Sequence, residues 1–394
     1  MDLFLLSVPW LGVGLFLALI FRNPRGLPVA VPWGSGEAPF VSIIVPARNE
    51  EANVGGCVSS LAEMDYPAFE ILVVDDESLD RTAEIVETLS PGNASQLRLI
   101  RGRPLPEGWF GKPWACWQGA AVAQGNLLLF TDADTLHAPD LLNQAVQGLR
   151  EERADVFTLL GHQVMGSFWE QLLQPQFFML LAFRFPRTGT HKKPHQWKHA
   201  IANGQYILFR REVYQAAGGH EAVAGEVAED LRLAQLLVRG GWKLVVRQTE
   251  GLRTRMYRSL GGLVEGWSKN VATAALQTAP AWLLPIILPL SLAVGVTLWL
   301  VPPATLTWAL VTGNQGTPLL WGAAATGLGV LIWSRTSLLM KGNPLYGLLF
   351  PLGAVIGGYI FLKSWWRGTR IQWKGRSYEM PQQARTRPPT GSGS

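Results

Sequence analysis

The chain has 394 residues, with 34 Lys plus Arg against 29 Asp plus Glu and a net charge of +5. Only 16% of residues are charged, where a soluble domain has about 25%, and 48% are hydrophobic, with 17 Trp among the aromatics. These values exclude a disordered chain and a wholly soluble globule, and the length accommodates one sizeable domain plus a membrane part.

Leu3 to Phe21 is an apolar run long enough to cross a bilayer. Arg22 and Arg25 follow it rather than precede it, and no small-residue cleavage site ends it. Residues 1–22 therefore read as an anchor with the following chain on the cytoplasmic side. Residues 23–39, rich in Pro and Gly, read as a linker. Residues 40–250 switch to short apolar runs separated by helical patterns. Val41–Val45, Ile71–Val74, Leu97–Ile100 and Asn126–Phe130 read as buried strands, with helices expected over 49–64, 79–89, 113–124 and 139–152. That alternation predicts an α/β fold with a parallel sheet. Cys57 and Cys116 cannot form a disulfide framework and read as buried small residues.

Two stretches read as interfacial rather than spanning. One is 168–185, aromatic and interrupted by Pro175. The other, within 251–270, puts Met256, Leu260, Leu263, Val264 and Trp267 on one helical face. Residues 271–363 read as the membrane part, since no charged residue lies between Lys269 and Arg335. Spans are expected at Trp282–Val301, Pro318–Trp333 and Tyr346–Leu362. Three crossings from a cytoplasmic domain would leave the tail outside. Yet the chain from Lys363 to its end carries +6, which belongs inside. Either Thr305–Val311 adds a short segment or one of the three does not cross. Residues 364–394 read as a basic cytoplasmic tail. The charge sits in that tail and leaves no footprint for nucleic acid.

The chemistry is carried by acids. The second strand ends ILVVDDESLD, placing Asp75 and Asp76 at the ligand edge of an open α/β sheet, where helix capping is the alternative account. LLLFTDADT sets Asp132 and Asp134 one residue apart after a buried strand, a pattern that suits an oxygen-preferring cation holding a diphosphate; a solvated turn is the alternative. In VAGEVAEDLRLAQ, Glu229 and Asp230 open a helix, either as capping acids or as a base near the cation site. The first βα unit, VPARNEE, lacks the Gly-rich turn of a dinucleotide site.

VPARNEE, DDESLD, DADT and AED, in this order, resemble the family 2 glycosyltransferases with the GT-A nucleotide-sugar fold. LPEGWFGKPWACWQGA, AAGGHEAVAGEVAEDLRLAQ, RMYRSLGGLVEGWSKN and QWKGRSY are similar to the bacterial integral-membrane subgroup that glycosylates carotenoids and hopanoid-type lipids. The resemblance implies an α/β GT-A domain with a mostly parallel sheet, flanked by transmembrane and interfacial helices, in the cytoplasmic membrane. It implies donor contacts by Pro46, Ala47, Glu50, Asp76 and Lys112. Asp132 and Asp134 would hold a divalent cation (Mg²⁺ or Mn²⁺) with the diphosphate. Asp230 would be the general base with Glu229 beside it, and Gly218, Gly219, His220 and Trp267 would lie on the acceptor side. Processive polysaccharide synthases carry QxxRW where this chain has EGWSKN, so one sugar is expected per acceptor, from a nucleotide-sugar such as UDP-glucose. The expected activity is inverting transfer to a hydroxyl of a membrane isoprenoid, carotenoid or hopanoid-like. A polyprenyl phosphate, diacylglycerol or another membrane lipid is the alternative acceptor, and a non-catalytic membrane scaffold is the alternative of another class.

Overall fold

The computed structural model describes residues 8–15, 26–34, 36–185, 189–278, 283–367, 370–373 and 376–379. Of the expected anchor, residues 8–15 form a helix, α1; residues 1–7 and 16–22 lie outside the described residues. Within 26–34 the chain has no regular structure, but Trp33 docks on the sheet core and its indole donates to Asn143 Oδ1 at 3.0 Å.

The first half of the domain follows the sequence pattern. β1 (Val41–Ala47), α2 (Val54–Ala62), β2 (Phe69–Asp75), α3 (Thr82–Glu87), β3 (Leu97–Arg101), α4 (Gly111–Val122) and β4 (Leu127–Phe130) alternate. The four strands lie in the order β3-β2-β1-β4, all parallel. β1 alternates faces: Ile43 and Val45 join one core layer with Leu61 and Val73, and Ile44 joins the other with Leu72, Cys116 and Phe130. Cys57 and Cys116, both free and buried, lie in opposite layers. α2 begins later than the apolar period suggests because the preceding backbone is already bonded. Asn49, at φ +51°, and Glu50 donate their N–H groups to Ser78 Oγ and Thr82 Oγ1.

Beyond β4 the sheet becomes mixed. The remaining elements of the domain are β5 (Thr135–His137), α5 (Leu141–Glu151), β6 (Val156–Gln163), α6 (Phe168–Arg184), β7 (Thr190–His191), β8 (Ile207–Arg210), α7 (Arg211–Ala216), α8 (Glu229–Arg239) and β9 (Leu244–Thr254). β8 runs antiparallel to β4 and to β6, β9 parallel to β6, and β5 and β7 antiparallel to β9. The parallel pattern thus holds over β3-β2-β1-β4, where one helix separates each strand from the next, and breaks at β8, which runs against both of its neighbours. Its consequence is positional: the carboxyl ends of β1, β2 and β4 open on one edge, and β6 and β9 wall it from the other side.

The C-terminal part begins with α9 (Leu260–Thr278), α10 (Leu284–Trp299) and α11 (Val301–Thr312). Pro302 and Pro303 lack the N–H groups that would continue α10, so Leu300 marks a joint rather than a loop. Thr305–Val311 therefore continues the first long helix instead of adding a segment. α12 (Thr317–Leu339) and α13 (Phe350–Arg367) follow, then a hairpin of β10 (Arg370–Trp373) and β11 (Arg376–Glu379). Pro289–Thr312, Thr317–Leu339 and Pro344–Trp366 are long and apolar enough to cross a membrane. Trp10 of α1 donates its indole N–H to the Leu298 carbonyl and packs edge-on against Trp321. α6 runs unbroken through Pro175. The apolar face expected at 256–269 is carried from Leu260 onward, and it packs on protein: Leu263, Val264 and Trp267 sit with Leu172, Leu173, Phe177 and Ile360. Met256 precedes the helix.

Gly119, where α4 crosses β1, has no room for a side chain: a Cβ would lie 2.5 Å from the Ile44 side chain and 3.1 Å from that of Val74. Gly119→Val should therefore cost roughly 1–3 kcal/mol by overpacking, read as a lower thermal midpoint of the detergent-purified protein. An unchanged midpoint would contradict this packing.

Candidate active site

A cavity of about 1170 Å³ opens at the carboxyl edge of the parallel strands. Pro46, Ala47, Glu50, Asp76, Lys112, Asp132 and Asp134 line it together with Glu229, Asp230 and Trp267. Residues from four separate motifs thus face one space. The cavity continues between the apolar side chains Phe178 and Leu181 of α6, Trp267 of α9, and Leu339 of α12.

The turn that carries Asp132 and Asp134 is fixed by its threonines. Thr135 donates both its N–H and its hydroxyl to the Asp132 carbonyl, and the Thr131 hydroxyl donates to the Gln205 carbonyl at 2.7 Å. Lys112, in the first turn of α4, reaches across the cavity. Its Nζ lies 2.6 Å from Asp132 Oδ1 and 2.8 Å from Glu229 Oε1. Burial works to raise the Glu229 carboxyl, but the Lys112 ammonium overrides it and holds the group below the usual range. Asp230 behaves oppositely: burial and the neighbouring Glu229 charge push it up to about 6, against the pull of Lys112. Its Oδ1 accepts from Leu231 N–H at 2.7 Å, while Oδ2 accepts from Gly204 N–H at 2.9 Å. Adjacent acids on one helix thus have different protonation behaviour, set by a single cation.

Asp134 is pushed up to about 7 by burial and by Asp132 and Glu50, and its buried Oδ1 has no hydrogen-bond partner among the described residues. An orphaned carboxylate oxygen in a cluster with more carboxylates than ammonium groups fits a hard cation. Among the described residues no three ligating side chains converge on one point. A cation here would draw on Asp134, on Asp132 after exchange with Lys112, and on oxygens of a bound diphosphate.

Gly218 and Gly219, expected on the acceptor side, shape a turn in the structure. Neither lines the cavity. Both have positive φ, +79° and +51°, and a Cβ on Gly219 would lie 2.5 Å from the Tyr214 ring. They turn the chain so that His220 packs behind the acids, where its Nδ1 lies 2.9 Å from the Tyr214 hydroxyl and its ring is 4.6 Å from that of Phe130. Burial lowers His220 to about 4, so it is neutral. Trp114 and Trp117 stack on each other under the Arg103 guanidinium, and Trp109 packs edge-on against both, away from the cavity lining.

Gly204 escaped the sequence reading because no motif surrounds it. A Cβ there would meet Lys112 Nζ at 2.8 Å and Asp230 Oδ2 at 3.2 Å. Lys269, on α9 two residues after Trp267, also lines the cavity; its place inside was hidden by the apolar pattern of that helix.

Residues 42–218 match the family model described as Glycosyl transferase family 2. The chain is 26% identical over 355 residues to a 4,4'-diaponeurosporenoate glycosyltransferase of Staphylococcus aureus (strain USA300), covering 87% of this chain and 89% of that one. It is 28% identical over 284 residues to the protein of the same name from Staphylococcus haemolyticus (strain JCSC1435), covering 70% and 73%. A mannosyltransferase from Pyrobaculum calidifontis, solved in complex with GDP-Man and Mn²⁺, shares the fold with a TM-score of 0.51 at 19% identity, covering 93% of this chain and 97% of that one.

Burial and the Glu229 charge push Asp230 up to about 6, and a base works only when deprotonated. The rate of an Asp230-dependent reaction should therefore rise with pH through about 6 and level off above it. A pH–rate profile flat between 5 and 8 on the same purified protein, expected to change by roughly tenfold per pH unit on the acid limb, would contradict this role.

Proposed function

We propose that the chain is a family 2 glycosyltransferase, on the match of residues 42–218 to that family's model, and that it transfers a single sugar with inversion from a nucleoside diphosphate donor to a membrane-dissolved isoprenoid. The observation that supports it best is the single cavity that joins the strand-end acids to apolar walls from α6, α9 and α12. The relatives are named for a carotenoid-type acceptor, which such walls can receive from a bilayer. UDP-glucose is the first donor to try, and the Pyrobaculum structure was solved with a nucleotide-sugar and Mn²⁺.

The donor end is Pro46, Ala47, Glu50 and Asp76 around the nucleoside, with Lys112 beside the diphosphate. As the sugar departs, charge grows on that diphosphate, and Lys112 can leave Asp132 to meet it. Asp132 and Asp134 would hold a divalent cation, Mg²⁺ or Mn²⁺, which when bound supplies charge neutralisation to the leaving diphosphate. A lipid hydroxyl ionises far above neutrality, so it needs a carboxylate within hydrogen-bond reach to take its proton as it attacks. Asp230 is that carboxylate. One base opposite the leaving group gives direct displacement with inversion; double displacement would need a second carboxylate at the anomeric carbon. The relatives are named for a carboxylate substrate, which favours a second reading: an acid acceptor that arrives already deprotonated, paired with Lys269.

The catalytic domain and the tail belong on one side of the membrane. Lys341, just after α12, pairs with Glu250 of β9, and Arg376 of β11 pairs with Asp76. α13 starts beside Gln176 of α6 and, near its end, pairs Lys363 with Glu265 of α9. It therefore lies along the domain's membrane face, and α10–α11 with α12 form the crossing hairpin. This arrangement keeps the +6 tail inside, as the positive-inside rule asks.

Purified enzyme in nanodiscs, given UDP-glucose and either a hydroxylated or a carboxylated carotenoid, tests the reading. Asp230→Asn should bind donor normally and lose roughly 10²–10⁴-fold in transfer to the hydroxyl. Transfer to a carboxylate would survive the same substitution if the second reading holds. Products longer than one sugar would contradict both. Chelation by EDTA, or Asp134→Ala, should abolish turnover, with Mg²⁺ or Mn²⁺ restoring only the chelated wild type; full activity in chelator would remove the cation from the account.

A further inference from the structure

The C-terminal hairpin ends beside the nucleotide end of the cavity. Arg376 of β11 donates from Nη1 to Asp76 Oδ2 at 2.6 Å, and its other amino group pairs with Glu77. This contact spans 300 residues of sequence. Arg48, after β1, approaches the same Asp76 oxygen at 4.0 Å and donates to the main-chain carbonyls of Asp76 and Glu77. Asp76 is only 2% exposed, and its N–H donates to the Ala47 carbonyl. Its other carboxylate oxygen, Oδ1, is buried and has no partner among the described residues. A carboxylate that uses one oxygen on arginines and leaves the other unsatisfied at a cavity wall is prepared for a donor from a ligand.

We propose that the β10–β11 hairpin is a strap over the nucleoside end of the donor pocket, in which Arg376 is the positioning residue that aims Asp76 at a ring N–H of the donor's base. The proposal rests on the donor reading given above. Arg376 does not itself line the cavity, so it acts through Asp76. The chemistry selects bases: uracil and guanine present a ring N–H to a carboxylate acceptor, whereas adenine and cytosine do not. Burial pushes Asp76 up to about 6 while Arg376 and Arg48 pull it down and Glu77 opposes them. Removing Arg376 would leave Asp76 and Glu77 without their shared counter-charge beside the seat of an anionic donor.

The position of the strap is set from the membrane side. α13, which leads into it, places Ile360 among Leu172, Leu173, Phe177 and Trp267, and pairs Lys363 with Glu265 at 3.4 Å. The donor pocket is thus completed by an element that the membrane-facing helices hold in place.

Full-length protein in nanodiscs, titrated with UDP, GDP, ADP and CDP and assayed with the nucleotide-sugar it uses, tests this. Arg376→Ala should raise donor KM by about tenfold or more, the loss expected for a buried charge-assisted pair, and change kcat much less. Arg376→Lys should recover part of the KM. In an Asp76→Asn background, Arg376→Ala should add little, because the two act as one unit. Wild type should prefer UDP or GDP to ADP and CDP, and Asp76→Asn should blunt that preference. Unchanged KM in Arg376→Ala, additive effects in both backgrounds, or equal loss of kcat and KM in the Ala and Lys variants would each overturn the strap. Wild type that binds none of the nucleotides would overturn the donor reading, and the strap with it.

Discussion

The site depends on the ammonium of Lys112. It bridges Asp132, from the turn that ends the parallel strands, and Glu229, from the helix between β8 and β9. Burying carboxylates without a counter-charge is expensive, so this cation lets the two halves of the sheet close on one cavity. It also separates the properties of Glu229 and Asp230: the first is held ionised by direct contact, and the second is left near 6 by burial and by its charged neighbour. Gly204 is part of this arrangement, since a side chain there would occupy the gap between Lys112 and Asp230.

From that centre the cavity extends in two directions with different physical character. Toward the strand ends it is polar and held by arginine–carboxylate contacts around Asp76. Toward the membrane it is walled by Phe178, Leu181, Trp267 and Leu339. Trp267 stacks on Phe177 at 4.6 Å, so the apolar end is built by helix packing rather than by loops. A rigid wall of this kind can orient a long apolar acceptor so that only its polar end reaches the acids.

Much of the domain is legible in the sequence for local reasons. Val41–Val45, Ile71–Val74 and Asn126–Phe130 are short apolar runs, the last two leading closely into acids, and strand direction carries those acids and the VPARNEE turn to one edge. What local pattern cannot supply is long-range return. The reversal at β8, the approach of Gly204 to Lys112 and the arrival of Arg376 at Asp76 depend on tertiary closure over tens to hundreds of residues. The glycine pair at 218–219 is ambiguous in sequence for a related reason: positive φ serves a turn against Tyr214 as well as it would serve a ligand. The apolar face of α9 was legible as a face. The sequence could not say whether lipid or α6 and α13 would cover it.

A structure of the enzyme with its nucleotide-sugar and Mn²⁺ in lipid nanodiscs tests the central claim most directly. The account predicts diphosphate density within hydrogen-bond reach of Lys112 Nζ, with Asp132 released from its 2.6 Å contact and Asp230 facing the anomeric carbon from the opposite side. A donor bound outside this cavity, or inside it with Lys112 still holding both Asp132 and Glu229, would contradict it.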